Sequence, residues 1–217
     1  MTAQNMVDRL AAAYDALADS YAAGRHLFDT TPILRRCAGL LAGRARVLDA
    51  GCGAGEPVAR FFVDRGDEVT GIDVSERMLE IARRQVPEAR FRHLDLRSLD
   101  FPAGSFDLLA AVYCVFHLPR TEHGALFEGF ARVLAPHGLL LLTLATREYT
   151  GADEFDGELD FLGQRLPYSH DRPEVALDKL RRAGLDPIAA DRIETGGETF
   201  LWVIARKRGP EASPPHR

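Results

Sequence analysis

The stretch VLDAGCGAGEPV, which runs from Val47 to Val58, decides the fold of this chain. Two apolar residues lead to Asp49 at the end of a predicted strand, glycines occupy positions 51, 53 and 55, and a helical pattern follows. A strand, a tight turn and a helix in this order present backbone N–H groups at the carboxyl edge of a sheet. Glycine suits the turn because a ligand can approach its backbone without meeting a Cβ atom. We therefore expect a ligand site in this loop.

The spacing of the glycines separates two classes of ligand. A dinucleotide fingerprint is G-x-G-x-x-G, and its third glycine, counted from Gly51, would fall on Glu56. A diphosphate would then meet a carboxylate where the N-terminus of a helix should receive an anion. The loop therefore favours a nucleoside ligand without phosphates.

Composition limits the class of protein. The chain has 217 residues, 46% of them hydrophobic and 27% charged, with a formal net charge of −5, which suits one globular domain. A mildly acidic chain argues against nucleic acid as the main partner. Three widely spaced cysteines make neither a disulfide framework nor a zinc site, and the longest apolar run is too short to span a membrane. Acidic residues near the N-terminus argue against a signal peptide, so the cytoplasm is the expected compartment.

Apolar periodicity predicts strands that alternate with helices along the chain. Further strands are predicted at residues 68–72, 90–94, 106–113 and 139–144, with an antiparallel pair at 187–193 and 199–205. Helices are predicted at residues 5–23, 31–41, 76–85 and 121–134; another follows the glycine loop to residue 63, and one that Asp171 caps ends at residue 183. This alternation predicts an α/β fold with a doubly wound, mostly parallel sheet.

The glycine loop resembles motif I of the class I S-adenosylmethionine-dependent methyltransferases, whose pattern is (V/L)LD-x-G-x-G-x-G. The resemblance covers residues 45–206 and also rests on Asp73, Asp95, the Phe106–Asp107 pair and Pro136–Gly138. It implies a seven-stranded sheet with an antiparallel last strand, S-adenosyl-L-methionine as cofactor, and an N-terminal helical lid in residues 1–44. Residues 146–170 are expected to be an insertion on the acceptor side, and residues 207–217 a disordered tail.

The resemblance also implies which residues contact the cofactor. Asp49, Gly51 and Gly53 would hold its methionine end, and Asp73, about twenty residues after the loop, its ribose hydroxyls. Val74 and Met78 would flank the adenine, Asp95 and Leu96 would bind its edge, and the Ala111 backbone would lie near the sulfonium. Cys52 and Cys114 each either lie near the ligand or are small buried thiols, and Asp95 is either a contact or a turn residue. Tyr14 and Tyr21 on the first helix either reach the cofactor or pack on the core.

Two histidines are candidates for a general base on the acceptor side. His117 follows the fourth strand, where acceptor and cofactor meet in this fold, and Tyr113 lies just before it. His170 ends the insertion, with Tyr168 beside it. Each could instead serve only structure, His117 by bonding backbone and His170 by entering a helix. The other histidines, His26, His93, His123, His137 and His216, are expected on the surface or in packing.

The stretch 148–161 interleaves acids with aromatic residues. It is either a recognition surface for a cationic acceptor or a solvated loop. Arg165 beside it could instead bind an acceptor carboxylate.

The leading hypothesis is a methyltransferase that acts on oxygen or nitrogen of a small molecule, without a metal. No motif of an amino-methylating DNA enzyme follows the fourth strand, and no acidic cluster resembles the metal site of catechol-type O-methyltransferases. The alternatives are an NAD(P)-dependent oxidoreductase and a non-catalytic S-adenosylmethionine-binding module, and the oligomeric state is left open.

Overall fold

The computed structural model describes residues 3–24 and 27–209. His26, His216 and most of the expected tail lie outside the described residues. The strands are β1 Arg46–Ala50, β2 Glu68–Asp73, β3 Arg90–His93, β4 Phe106–Ala111, β5 Leu134–Leu144, β6 Phe155–Phe161, β7 Gln164–His170, β8 Leu185–Thr195 and β9 Glu198–Lys207. The helices are α1 Ala3–Gly24, α2 Thr31–Ala38, α3 Val58–Asp64, α4 Glu76–Gln85, α5 His123–Val133, α6 Arg147–Thr150 and α7 Pro173–Arg182.

Seven strands form the main sheet in the order β3-β2-β1-β4-β5-β9-β8. The strands from β3 to β5 are mutually parallel, and β9 runs antiparallel to both β5 and β8. The predicted doubly wound sheet with an antiparallel last strand is therefore confirmed. The order reverses at β1, so the carboxyl ends of β1 and β4 form the crevice in which such sheets bind ligands.

The two faces of the sheet carry separate parts of the core. On β4, Leu108 packs toward α2 and α3, whereas Leu109 packs toward α5 and α7, and both are fully buried. Burial on both faces explains why the central strands are continuous apolar runs. The edge strand β3 carries the polar residues instead, with a mostly exposed pattern.

One predicted local feature is confirmed and another is wrong. Ser75 caps α4 as predicted, because its hydroxyl accepts a hydrogen bond from Met78 N at 3.1 Å. Asp171 was predicted to cap the following helix, but α7 begins at Pro173 and its N-terminus receives no side-chain bond. The buried Asp171 carboxylate instead pairs with Lys179 and Arg120. A buried carboxylate needs charged partners, and these two cations supply them.

The predicted insertion contains a β-hairpin that was not predicted from the sequence. β6 and β7 pair antiparallel from Phe155 opposite His170 to Phe161 opposite Gln164, so the loop has two residues. The signal was present in the sequence, because β6 reads FDGELDF and alternates apolar with acidic side chains. Because this segment contains many acidic residues, it was interpreted as a recognition surface or a solvated loop and its alternating period was missed.

Candidate active site

The glycine loop holds a backbone shape that most side chains would prevent. Gly51 has φ +74° and Gly53 has φ +52°, both in the left-handed region. A Cβ atom on Gly51 would lie 2.6 Å from Cys114 Cβ, so this position must be glycine. The N–H groups of Gly51 and Cys52 both donate to the Ile72 carbonyl, at 2.8 and 3.0 Å, which ties the loop to β2.

Asp73 stands at the end of β2 against this loop. Its carboxylate accepts hydrogen bonds from Gly53 N at 2.8 Å and from Ser75 N at 2.9 Å. Burial raises its pKa, and these backbone donors act in the opposite direction. The carboxylate is therefore fixed beside the loop as a group that can accept further hydrogen bonds from a ligand.

A first cavity lies between the loop, the ends of the strands and helix α1. It brings together most of the predicted cofactor residues, together with two predicted acceptor-side residues: Tyr14, Tyr21, Gly51, Gly53, Asp73, Val74, Met78, Asp95, Leu96, Tyr113 and His117. Cys114, for which the sequence left open a place near the ligand or a role as a buried thiol, also lines this cavity. The remaining lining residues were not predicted: Val7, Leu10, Leu94, Val112 and Leu118. They are apolar, and no motif distinguishes them from core residues.

Four predicted residues lie elsewhere or have other partners. Asp49 and Cys52 line a small adjoining cavity with the glycine loop. Ala111 is fully buried, and its neighbour Val112 lines the wall in its place. Asp95 lines the first cavity, but its carboxylate also bonds the backbone and the guanidinium of Arg97.

His117 is buried, and its hydrogen bonds fix its tautomer. Nδ1 lies 2.8 Å from the Pro167 carbonyl oxygen, which can only accept, so Nδ1 carries the hydrogen. Nε2 is then an acceptor and receives the hydroxyl hydrogen of Tyr14 at 2.7 Å. Burial lowers the pKa of His117 to about 4, which keeps the ring neutral near pH 7. The first cavity therefore contains a neutral imidazole linked to a tyrosine hydroxyl.

Helix α1 is anchored over the first cavity by polar contacts. Asp15 accepts hydrogen bonds from Ser75 Oγ at 2.6 Å and from Arg77 N at 3.1 Å. Asp19 pairs with the Arg77 guanidinium at 3.0 Å. Farther toward the N-terminus, Arg9 pairs with Glu158 of the hairpin at 2.5 Å. These contacts place Tyr14 and Tyr21 against the cavity.

A second cavity, of about 280 Å³, lies between α1, the hairpin and the turn that joins β8 to β9. Its lining is mostly aromatic: Tyr14, Ser20, Tyr21, Gly24, Leu27, Phe28, Tyr113, Tyr149, Phe161, Leu162, Tyr168, Gly196, Glu198 and Phe200. Tyr14, Tyr21 and Tyr113 line both cavities, so the two spaces adjoin. Tyr113 has φ +58°, and strained backbone of this kind occurs at functional sites.

The structure separates Tyr168 from His170. Tyr168 lines the second cavity, with its ring centroid 4.9 Å from that of His117. His170 lines neither cavity; its Nε2 lies 2.8 Å from Thr150 Oγ1, and Nδ1 lies 3.0 Å from the Asp171 carbonyl oxygen. This buried ring holds α6 to β7, so its position favours the structural alternative.

The acidic, aromatic stretch divides between two surfaces. Its aromatic residues Tyr149 and Phe161 line the second cavity. Of its acids, Glu154 pairs with Arg120, and Glu158 pairs with Arg9 and Arg165, outside the cavity. Neither these acids nor Arg165 lines the second cavity, whose described lining includes Glu198.

The site fits an adenosyl sulfonium compound by its donor set. The glycine loop offers backbone to a ligand, the Asp73 carboxylate can accept from vicinal hydroxyls, and Met78 and Val74 offer apolar contacts for a base. The aromatic faces of Tyr14 and Tyr21 suit a sulfonium cation.

Comparisons with known proteins agree with this assignment. A family profile described as a methyltransferase domain matches residues 47–138. The 27-O-demethylrifamycin SV methyltransferase of Amycolatopsis mediterranei is 33% identical over 178 residues, which is 76% of this chain and 63% of that protein. The ubiquinone biosynthesis O-methyltransferase of Alkalilimnicola ehrlichii is 31% identical over 159 residues, 67% of this chain and 63% of that protein. The chain thus spans less than two thirds of either relative.

Solved structures share the fold. The 1,6-didemethyltoxoflavin-N1-methyltransferase of Burkholderia thailandensis, solved with S-adenosylhomocysteine, superposes with a TM-score of 0.77 at 22% identity, over 96% of this chain and 91% of that one. The cyclase SpnF superposes with a TM-score of 0.64 at 22% identity, over 82% of this chain and 81% of that one. The fold alone therefore does not determine the reaction. No helix within residues 3–24 and 27–209 has the length and apolar character needed to cross a bilayer.

Proposed function

Because this chain belongs to the class I S-adenosylmethionine-dependent methyltransferases, we propose that it transfers a methyl group from S-adenosyl-L-methionine to an oxygen or nitrogen atom of a small molecule. The observation that carries the proposal is the pair of adjoining cavities with three shared tyrosines. One cavity has the residues for the cofactor, and the other offers space for an acceptor. Family membership removes the reason for the oxidoreductase alternative, and an acceptor-sized cavity argues against a module that only binds the cofactor.

Alignment is the main contribution that we assign to the protein. The bound cofactor supplies an activated methyl group, and in-line displacement needs the acceptor atom directly opposite the sulfur. Correct alignment of reactants can contribute on the order of 7–11 kcal/mol. Asp73 would hold the ribose and the glycine loop the methionine end, while Tyr113, bonded through its N–H to Thr143 Oγ1 at 2.6 Å, would form a rigid wall between the cavities.

We assign proton removal to the pair formed by Tyr14 and His117. An acceptor O–H or N–H must lose its proton during or after the transfer. Tyr14 lines both cavities and its hydroxyl donates to His117 Nε2, so a proton received at Tyr14 Oη would release one to Nε2. Methyl transfer converts the positively charged sulfonium into a neutral thioether. A proton taken up at His117 Nε2 gives the imidazole a positive charge, so the total charge within the cavities stays the same. His170 is not retained as a base because it lines neither cavity.

Transfer of tritiated methyl groups into a cell extract tests the proposal, with the product identified by mass spectrometry. We expect one labelled small molecule with the wild-type protein and at least tenfold less label with Asp73→Ala. Calorimetry that showed uptake of NADH, and none of S-adenosylmethionine or S-adenosylhomocysteine, would contradict it. A cytoplasmic location also remains part of the proposal, since Cys37, Cys52 and Cys114 are free thiols, as a reducing compartment would keep them.

A further inference from the structure

Two phenol side chains flank the imidazole of His117. Tyr14 Oη lies 2.7 Å from His117 Nε2, and the Tyr168 ring centroid lies 4.9 Å from that of His117. Tyr14 comes from helix α1 and Tyr168 from strand β7, and both line the second cavity. A ligand in this cavity can therefore contact both phenols.

The hydroxyl hydrogen of Tyr14 is already held by the protein. Because Nδ1 of His117 carries the ring hydrogen, Nε2 can only accept, and the Tyr14 hydroxyl donates to it. Burial raises the pKa of Tyr14, so the phenol keeps this hydrogen near pH 7. What Tyr14 Oη can still offer a ligand is a lone pair, which accepts a hydrogen bond.

The hydroxyl of Tyr168 has the opposite polarity. It accepts the hydroxyl hydrogen of Tyr149 at 3.2 Å. Within residues 3–24 and 27–209 no other hydrogen bond involves Tyr168 Oη, so its own hydrogen can be donated to a ligand. Burial raises the pKa of Tyr168 well above its usual range, so this hydrogen is retained. Tyr149 also lines the second cavity, so the two hydroxyls meet in its wall.

The ring of Tyr168 is held in place by its neighbours. Phe116 stacks on it with centroids 5.1 Å apart and planes at 7°, and Tyr149 lies 5.4 Å away at 36°. Tyr168 is only 2% exposed, so its hydroxyl has little access to bulk water. A buried donor that lacks an acceptor costs free energy. The wall at Tyr168 therefore favours a ligand that brings an acceptor atom to this hydroxyl.

From the opposite polarity of these hydroxyls we infer that the methyl acceptor carries two polar groups: an O–H or N–H that donates to Tyr14 Oη, and a carbonyl oxygen that accepts from Tyr168 Oη. The O–H or N–H is the group that receives the methyl, and the carbonyl fixes its orientation. Both phenols flank one imidazole, so the two groups lie close together in the ligand, as in hydroxyketones and cyclic amides. The inference rests on the proposed function, because it takes the second cavity as the acceptor site.

Calorimetry with uncharged two-ring compounds tests the donor on Tyr168. The full chain, saturated with S-adenosylhomocysteine, is titrated with 1-indanone, which has a carbonyl oxygen, and with indane, which lacks it. We expect Tyr168→Phe to lower the preference for 1-indanone over indane at least threefold, because the carbonyl loses its donor. Tyr149→Phe removes the other hydroxyl of the pair and should lower this preference less than twofold.

A second pair of compounds tests the lone pair on Tyr14. Indole donates through its N–H, whereas benzothiophene has a similar shape without a donor. Tyr14→Phe should lower the preference for indole over benzothiophene at least threefold, and Tyr168→Phe should lower it less than twofold. Ser105→Ala removes a hydroxyl just before β4, outside the described lining of both cavities, and should keep both preferences.

The outcomes distinguish this inference from the proposed function. If S-adenosylhomocysteine does not bind, the proposed function fails and the inference falls with it. If it binds, the inference alone is overturned when Tyr168→Phe keeps the preference for 1-indanone, when Tyr14→Phe keeps the preference for indole, or when none of the four compounds binds. Wild-type affinity for indane in Tyr168→Phe shows that the lost preference does not come from unfolding.

Discussion

At the scale of single residues, His117 shows how two hydrogen-bond partners make one ring nitrogen a donor and the other an acceptor. The Pro167 carbonyl fixes the hydrogen on Nδ1, and Tyr14 donates to Nε2. The position of residue 117 after the fourth strand predicted a histidine on the acceptor side, with a purely structural role as the alternative. Its tautomer could not be predicted, because the two partners are 50 and 103 residues away in the chain.

The first prediction concerns the protonation of His117. Nuclear magnetic resonance of the imidazole should show an Nδ1–H tautomer and a pKa of about 4. Tyr14→Phe should raise this pKa by about 0.7, because a hydrogen bond to the neutral ring is worth about 1 kcal/mol. Tyr149→Phe is the matched control, since its hydroxyl donates to Tyr168. An Nε2–H tautomer in the wild-type chain would contradict the assignment.

The second prediction concerns Asp73. Asp73→Ala removes the acceptor of the Gly53 N–H and the proposed contact with the ribose hydroxyls. We expect calorimetry to show at least tenfold weaker binding of S-adenosylmethionine, while the exposed acid variant Asp64→Ala binds normally. An unchanged titration curve for a folded Asp73→Ala chain would remove the ribose role.

At the scale of elements, the first cavity depends on an anchored helix. Helix α1 contributes two tyrosines to the cavity but belongs to no layer of the sheet. Its main anchor is Asp15, whose carboxylate extends the capping arrangement at the start of α4: Ser75 Oγ accepts from Met78 N and donates to Asp15. The periodicity of α1 predicted the helix and its apolar face, but not this contact.

The third prediction compares two anchors on α1. Asp15→Ala loses bonds from Ser75 Oγ and Arg77 N, and hydrogen bonds to a charged group contribute about 1.5–3 kcal/mol. We expect faster hydrogen exchange across α1 and about tenfold weaker binding of S-adenosylhomocysteine. Asp19→Ala loses only an exposed pair worth about 0.2–1 kcal/mol, so its binding should fall less than fivefold. Equal effects of the two changes would show that Asp15 is not the anchor.

Patterns among neighbouring residues predicted those features that depend only on neighbouring residues. The glycine loop, the buried central strands and the Ser75 cap each follow from neighbouring residues, and all were predicted. Asp171 was assigned wrongly because its cations, Arg120 and Lys179, come from other elements. The second cavity was not predicted, because its rings come from separate parts of the chain and meet only in the folded protein.

At the scale of the whole molecule, two buried neutral histidines link stability to pH. Burial lowers the pKa values of both His117 and His123 to about 4, whereas an unfolded histidine titrates at about 6.5. Between these values the unfolded chain binds more protons than the folded one. The free energy of unfolding therefore falls as the pH falls from 7 toward 4.

The fourth prediction concerns how much the free energy of unfolding changes with pH. Each histidine should lower the free energy of unfolding by about 2.5 kcal/mol between pH 7 and 4.5, measured by urea denaturation. His123→Gln keeps a donor for the Val115 and Leu118 carbonyls, so it should remove about half of the combined effect. The exposed His137 gives the control variant, His137→Gln, which should keep the wild-type dependence. An unaltered slope in His123→Gln would contradict the prediction.

Three tyrosine rings line both cavities, and this sharing has a thermodynamic consequence. Tyr14, Tyr21 and Tyr113 line both the first cavity, which we propose for the cofactor, and the second cavity, which we propose for the acceptor. Any displacement of these rings by one ligand alters the surface that the other ligand meets, so the two binding equilibria form a closed cycle. The factor by which S-adenosylhomocysteine changes the affinity for an acceptor must then equal the factor by which the acceptor changes the affinity for S-adenosylhomocysteine. An inhibitor of either cavity therefore has a potency set by the occupancy of its neighbour.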